Sequence, residues 1–181
     1  MKAHARKALM SSECHTWRTP KWFFAAVERL FVDRYGGPFD LDAAASANNH
    51  LCPAYYTEEQ DALRQPWAGR VWVNPPYGAM IKPFLLKAYR SSLEGAIVAA
   101  IIPARPDTQA WHEVAQLAAE IRLIKGRISF LDDAGAAADP ATFPSALLIF
   151  DKSACDRRVY FWDPKDSNLS FPFMIWGGAA E

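Results

Sequence analysis

The residues best suited to chemistry in this chain of 181 residues form one short segment, Asn74-Pro75-Pro76-Tyr77, which follows the apolar run 71–73. Proline fixes its own φ and restricts the residue before it, so the two prolines hold the turn in one geometry. The Asn74 side-chain oxygen and the Pro75 carbonyl are then two fixed acceptors, with the Tyr77 ring beside them. Such a turn can hold an exocyclic amino group against a flat base.

This arrangement suits methyl transfer to an amino nitrogen whose lone pair is delocalised into a ring. Two acceptors on the N–H bonds favour a pyramidal nitrogen, and their dipoles stabilise the positive charge that develops on it. Transfer is then an in-line displacement, and holding donor and acceptor together supplies much of the rate. A base inside a duplex must first be flipped out, and stacking on Tyr77 offsets this cost by about 1–3 kcal/mol.

Alternating helices and strands must position this turn. Helical spacing of apolar residues predicts a first helix that runs to about Tyr35, with Thr19 as its N-cap and Pro20 at its first helical position. Further helices are predicted over 81–91 and 111–118. Predicted strands cover 39–43, 71–73, 96–102, 120–124, 146–150 and 158–162, with an irregular segment over 44–68. The pattern predicts an α/β fold in which a mostly parallel sheet is covered by helices on both faces.

In such sheets ligands bind beyond the carboxyl ends of the strands. We therefore expect three polar groups to meet at one edge: the acids Asp40 and Asp42, the Asn74 turn, and the loop 103–107 with Arg105. The two acids are candidates for holding a cofactor. Arg105 and Arg127 are candidates for contacting a DNA phosphate.

The composition is that of a globular protein, with 51% hydrophobic and 22% charged residues. We expect one domain over residues 17–181, preceded by a flexible arm over 1–16. The formal net charge is zero, which argues against a strongly basic nucleic-acid binder, although residues 1–22 carry a net charge of +4. The three scattered cysteines contain no Cys-x-x-Cys pair, so neither a disulfide framework nor a metal site is predicted. No signal peptide is predicted, and no apolar stretch is long enough for a membrane, so a cytoplasmic location is expected.

Several segments together resemble a known family. Asn-Pro-Pro-Tyr is the signature of amino-methyltransferases that use S-adenosyl-L-methionine (AdoMet), and the resemblance to the phage DNA N6-adenine methyltransferases (Dam-type) extends over roughly residues 16–151. It implies a Rossmann-like AdoMet-dependent fold, AdoMet as cofactor, DNA as partner, and methyl transfer to the N6 amino group of adenine. The matching segments are Trp17-Arg18-Thr19-Pro20-Lys21-Trp22, Phe39-Asp40-Leu41-Asp42-Ala43-Ala44, Asp61-Ala62-Leu63, Trp67-Ala68-Gly69, Gly126-Arg127-Ile128-Ser129-Phe130 and Phe143-Pro144-Ser145.

The resemblance also implies roles for individual residues. Asn74 to Tyr77 form the catalytic motif, and Thr19 and Pro20 lie against the methionine part of AdoMet. Asp61 matches an acid that faces the adenine of AdoMet. The family at large has a glycine-rich loop where this chain has Asp-Ala-Ala-Ala-Ser from residue 42. Asp42 therefore contacts either the ribose hydroxyls or the amino group of AdoMet.

Two other functions fit the same residues. Methylation of a protein glutamine at N5 uses the same turn, because a side-chain amide is also planar. The second alternative function is that of a protein that binds AdoMet or nucleic acid without catalysis. The sequence leaves open the recognised DNA sequence, the preference for single or double strands, and the oligomeric state, including a homodimer.

Overall fold

The structure, a computed structural model, describes residues 17–132, 135–136 and 141–166, and the backbone of 170–176. The arm predicted over 1–16 lies outside the described residues. The described strands form one eight-stranded sheet with helices on both faces.

The elements are as follows. Helices are α1 (Lys21–Tyr35), α2 (Ile81–Leu93) and α3 (Gln109–Glu113), with 3₁₀ turns at Glu58–Gln60 and Ala115–Leu117. Strands are β1 (Leu41–Asp42), β2 (Ala54–Tyr55), β3 (Arg70–Val73), β4 (Ile97–Pro103), β5 (Glu120–Ile124), β6 (Ser145–Phe150), β7 (Arg157–Trp162) and β8 (Ser170–Trp176).

The sheet has the order β2-β1-β3-β4-β6-β5-β7-β8. Four of its seven pairings are parallel, and β6 and β8 run antiparallel to their neighbours. This confirms the predicted α/β fold with a mostly parallel sheet. Strands β1, β3, β4, β5 and β7 end at the same side of the sheet, here called the carboxyl edge. Because β6 is antiparallel, it begins at that edge.

Each face of the sheet buries a separate apolar layer. Helix α1 places Phe23, Val27 and Phe31 against the face that carries Trp72 and Ile101. Helices α2 and α3 and the following 3₁₀ turn cover the opposite face. Burying a side chain of this size stabilises the fold by about 1.5–3 kcal/mol, so the two layers together hold the sheet between its helices.

Helix α1 begins one residue later than predicted. Pro20, not Thr19, is the N-cap residue, and neither supplies a side-chain cap. The Thr19 hydroxyl is instead engaged by Asn74. The helix ends at Tyr35 and is capped by Gly36, whose φ of 73° lies in the left-handed region that glycine adopts without strain.

Other predicted elements differ in extent. The strand expected over 39–43 is reduced to Leu41–Asp42, and the helix expected over 111–118 is a short helix followed by a 3₁₀ turn. The segment 44–68 was expected to be irregular but contains β2, and β8 was not predicted. Two-residue strands have no detectable periodicity, and they form only because a neighbouring strand supplies their hydrogen bonds. No helix within the described ranges is long and apolar enough to cross a membrane.

Candidate active site

The Asn74 turn lies at the carboxyl edge, directly after β3. The Asn74 Nδ2 group donates to the Trp17 carbonyl over 2.6 Å and to the Thr19 hydroxyl oxygen over 3.2 Å. Its Oδ1 atom is buried and has no hydrogen-bond partner among the described residues. A buried acceptor without a partner is costly, so this atom is positioned to receive a donor that is not part of the described chain.

Asp42 lies at the end of β1, on the strand that pairs with β3. Its side chain is only 3% exposed, and its two oxygens accept from the backbone N–H groups of Leu51 (3.0 Å) and Ala44 (3.3 Å). Burial raises the pKa of Asp42 from 3.8 to about 6, although the two N–H groups and His50 act in the opposite direction. One carboxylate thus holds both ends of the segment 44–51.

Asp42 and Asn74 line the same small cleft. The cleft is also lined by Trp17, Thr19, Ala44, Asn49, Leu51 and Trp72. Its carboxylate, hydroxyl, amide and indole groups fit AdoMet, which carries hydroxyls, an ammonium group and a flat base. The cleft is partly open to solvent and its space is about 10 Å³, enough for roughly one water molecule, so a ligand as large as AdoMet would extend beyond it.

Tyr77 lies in an aromatic cluster beside this cleft. Its ring meets Phe130 and Phe143 edge to face, with centroid distances of 6.1 and 5.6 Å. Its hydroxyl is buried without a hydrogen-bond partner among the described residues, and burial raises the pKa of Tyr77, so the phenol stays neutral. Arg105 places its guanidinium 5.6 Å from the centre of the Phe143 ring. The structure therefore brings Arg105 to the same edge as the Asn74 turn.

Two acids named from the sequence are not brought to the cleft. Asp40 precedes β1 and lies at the opposite end of β3, where its Oδ1 pairs with Arg70 over 2.8 Å. The strand was expected to include Asp40, but it begins one residue later, so this side chain faces the start of β3. Asp61 follows the first 3₁₀ turn with a φ of 51°, and its carboxylate pairs with Arg64 over 3.1 Å. Both acids therefore already have a cationic partner outside the cleft.

The remaining predicted residues have distinct positions. Pro20 is buried beside Thr19 but does not line the cleft. Arg127 is exposed in the loop after β5 and lines a second cleft of about 220 Å³ at the carboxyl edge. In this second cleft Lys125 pairs with Asp163 over 2.9 Å, and the Lys165 ammonium lies 5.6 Å from the Trp22 ring. Cations and an exposed aromatic ring thus line this second cleft at the carboxyl edge, separated from the Asn74 turn by β4 and β6.

The sequence profile of the DNA N-6-adenine-methyltransferase (Dam) family matches residues 6–168, which include β1 to β7 and both clefts. The chain belongs to this family. The match confirms the resemblance stated from the sequence, and it does not favour protein glutamine methylation.

Two curated relatives agree with the Dam family assignment. The DNA N-6-adenine-methyltransferase of Escherichia phage T1 is 35% identical over 117 residues, which are 62% of this chain and 46% of the phage protein. YfdM of Escherichia coli (strain K12), named as a candidate methyltransferase, is 40% identical over 68 residues, which are 34% of this chain and 69% of that protein. The chain thus spans about half the length of the phage relative.

Sequence reasoning did not identify two features of this Dam family site. The Trp17 carbonyl holds the Asn74 amide, and a backbone contact of this kind leaves no signal in residue types. Ser145 begins β6, pairs with Pro103 across the sheet, and buries a hydroxyl without a partner among the described residues. Its place at the carboxyl edge depends on the antiparallel direction of β6, which the sequence pattern did not indicate.

Proposed function

We propose that this protein is an AdoMet-dependent DNA methyltransferase that transfers a methyl group to the N6 amino group of adenine. The observation that carries the proposal is the Asn74 amide, whose nitrogen is held by Trp17 and Thr19 while its buried oxygen has no partner in the described chain. Membership of the Dam family supports adenine in DNA as the substrate. The activity is proposed for the cytoplasm, where DNA and AdoMet occur together.

In the proposed mechanism, the Asn74 oxygen and the Pro75 carbonyl accept the two N–H bonds of adenine N6. These acceptors draw the nitrogen toward a pyramidal shape and stabilise the positive charge that it gains in the transition state. Pro75 and Pro76 keep the two acceptors from moving during the reaction, because their φ angles are fixed. Tyr77 contributes a stacking surface for the flipped adenine, and its neutral phenol adds no charge to the site.

AdoMet, when bound, supplies an electrophilic methyl group on a sulfonium. We propose that Asp42 holds a hydroxyl or the ammonium group of AdoMet and that Thr19 and Pro20 border its methionine part. The cleft supports this proposal because Asp42 and Thr19 both line it. We do not extend the proposal to Asp40, which pairs with Arg70. A contact of Asp61 with AdoMet would require the exposed pair with Arg64 to open.

We propose that DNA lies across the carboxyl edge, with its phosphates near Arg105 and Arg127. Phosphate contacts by arginine and lysine hold a protein in register on the duplex without reading its sequence. Lys125 and Lys165 line the same cleft as Arg127, so the positive charge there is shared among several side chains. This charge is local, since the chain as a whole has a formal net charge of zero.

The test is incubation of the protein with methyl-labelled AdoMet and unmethylated DNA, followed by nucleoside analysis. Label in N6-methyladenine is the expected result. Label in another base, or label only in added protein, would overturn the proposal. AdoMet or DNA binding without any transfer would favour a protein that has lost catalysis.

The variant Asn74→Ala tests the role of the turn. We expect kcat to fall by about 10²–10³-fold, as when one preorganised hydrogen-bonding group is removed from an active site. The affinity for AdoMet should change little. Asn48→Ala is the matched control, because Asn48 is exposed and does not line the cleft. A normal rate for Asn74→Ala would show that the turn is not the catalytic motif.

A further inference from the structure

The orientation of the Asn74 amide is set by a segment far away in the sequence. The Nδ2 group lies 2.6 Å from the Trp17 carbonyl and 3.2 Å from the Thr19 hydroxyl oxygen. A backbone carbonyl can only accept a hydrogen bond, so the atom facing it must be the amide nitrogen. The Asn74 oxygen must then point the other way, where it is buried without a partner in the described chain.

The segment 17–19 is itself fixed in place. Arg18 forms an antiparallel bridge with Leu131, with two backbone hydrogen bonds of 3.0 and 2.9 Å. Thr19 is only 3% exposed, and α1 begins two residues later. The bridge and the helix restrict the backbone on both sides of Thr19. Its hydroxyl is therefore a preorganised acceptor for the Asn74 amide.

We propose that Thr19 is a positioning residue for Asn74, in addition to bordering the cleft. The Trp17 carbonyl decides which way the amide points, and the Thr19 hydroxyl oxygen accepts a second hydrogen bond from the same nitrogen, which restrains the amide with its oxygen toward the adenine amino group. An amide rotated by 180° would present its own N–H groups to the amino group, and two donors would then face each other. This inference rests on the proposed function, because it assigns the Asn74 oxygen to the substrate.

The test compares Thr19→Val, which keeps the shape but loses the acceptor, with Thr19→Ser, which keeps the acceptor. We expect Thr19→Val to lower kcat by about tenfold. The variant loses one hydrogen bond, and a hydrogen bond contributes roughly as much free energy as the 1.36 kcal/mol that corresponds to a tenfold change in rate. The KM for AdoMet should stay within about twofold of the wild-type value. Thr19→Ser should restore kcat to within about threefold of the wild type.

Three outcomes would overturn this inference. An unchanged kcat in Thr19→Val would show that the hydroxyl does not position Asn74. A raised KM for AdoMet with unchanged kcat would assign Thr19 to cofactor binding alone. An equal loss of kcat in Thr19→Val and Thr19→Ser would assign the effect to packing.

Folding and the proposed function are controlled separately. Urea unfolding checks that each variant folds, and Thr19→Ala replaces Thr19→Val if the valine variant does not. If the wild-type protein places no label in adenine, the proposed function fails. If the wild type is active and Thr19→Val equals it, only the positioning role fails.

Discussion

The buried carboxyl of Asp42 makes stability depend on pH in an unusual direction. Its pKa is raised from 3.8 to about 6, with burial as the largest cause. The folded protein therefore keeps this proton at pH values where the unfolded chain has released it. The stabilisation is fully present below about pH 4, and it is lost as the pH rises through about 6. Ionised carboxyls paired with cations show the opposite behaviour.

The size of the effect follows from this pKa. A change of one pKa unit corresponds to 1.36 kcal/mol, so Asp42 should lower the free energy of unfolding by about 3 kcal/mol between pH 4 and pH 7. Asp42→Asn removes the titration but keeps the shape. Its amide oxygen can serve only one of the N–H groups of Ala44 and Leu51, and leaving the other unpaired costs about 1–3 kcal/mol. The variant should therefore be less stable than wild type at pH 4 and close to it at pH 7.

The assay is urea unfolding of both proteins at several pH values between 4 and 7. The decisive quantity is the difference in unfolding free energy between wild type and variant, because the other titrating groups are common to both. Asp163→Asn is the control without this pH dependence. Lys125 holds the pKa of Asp163 below its usual value, so Asp163 is ionised in the folded and the unfolded protein over most of this range, and the difference between wild type and this variant should stay nearly constant from about pH 4 to 7. A wild-type minus Asp42→Asn difference that does not change with pH would refute the reasoning.

Two further predictions concern other charged groups. Glu120 is 1% exposed and pairs with Arg122 over 2.8 Å and also with Arg34, so Glu120→Gln should lower the free energy of unfolding by about 3–5 kcal/mol in urea titrations, because it removes the anionic partner of a buried ion pair. Glu113→Gln breaks the surface ion pair with Lys82, and this variant should lower the free energy of unfolding by less than about 1 kcal/mol. Equal losses of unfolding free energy in Glu120→Gln and Glu113→Gln would contradict the argument that burial makes the Glu120 pair more important. Arg127→Ala should weaken the binding of all DNA sequences alike. It should also reduce the slope of log affinity against log salt concentration by about 1, because one phosphate contact is lost. An unchanged slope would exclude a contact between Arg127 and a phosphate.

The local parts of the site could be predicted from the sequence. The Asn74 turn depends on two prolines and one short strand, and α1 and β4 depend on apolar patterns within their own length. Asp40 was predicted to lie near the cofactor because the strand predicted over 39–43 places it, with Asp42, at the carboxyl edge. The structure shows that β1 starts after Asp40, and the pairing with Arg70, thirty residues away, decides where its side chain lies.

The parts that could not be predicted depend on pairing between distant segments. The direction of β6 is set by its neighbours β4 and β5, so the sequence did not indicate that Ser145 lies at the carboxyl edge. The two-residue strand β2 exists because β1 pairs with it. The contact of Asn74 with Trp17 joins residues separated by 57 positions, and only a folded chain brings them together.

The bridge between Arg18 and Leu131 also has a consequence for synthesis of the protein. The segment 17–19 leaves the ribosome early, but its partner in the bridge emerges more than a hundred residues later. A nascent chain can therefore already contain Asn74 while Leu131 is still missing. In such a chain the segment 17–19, which holds the Asn74 amide, is not yet fixed by its bridge. Chains that end before Leu131 also lack β6, which lies between β4 and β5, so the whole Asn74 motif is synthesised long before the sheet and the bridge that position it.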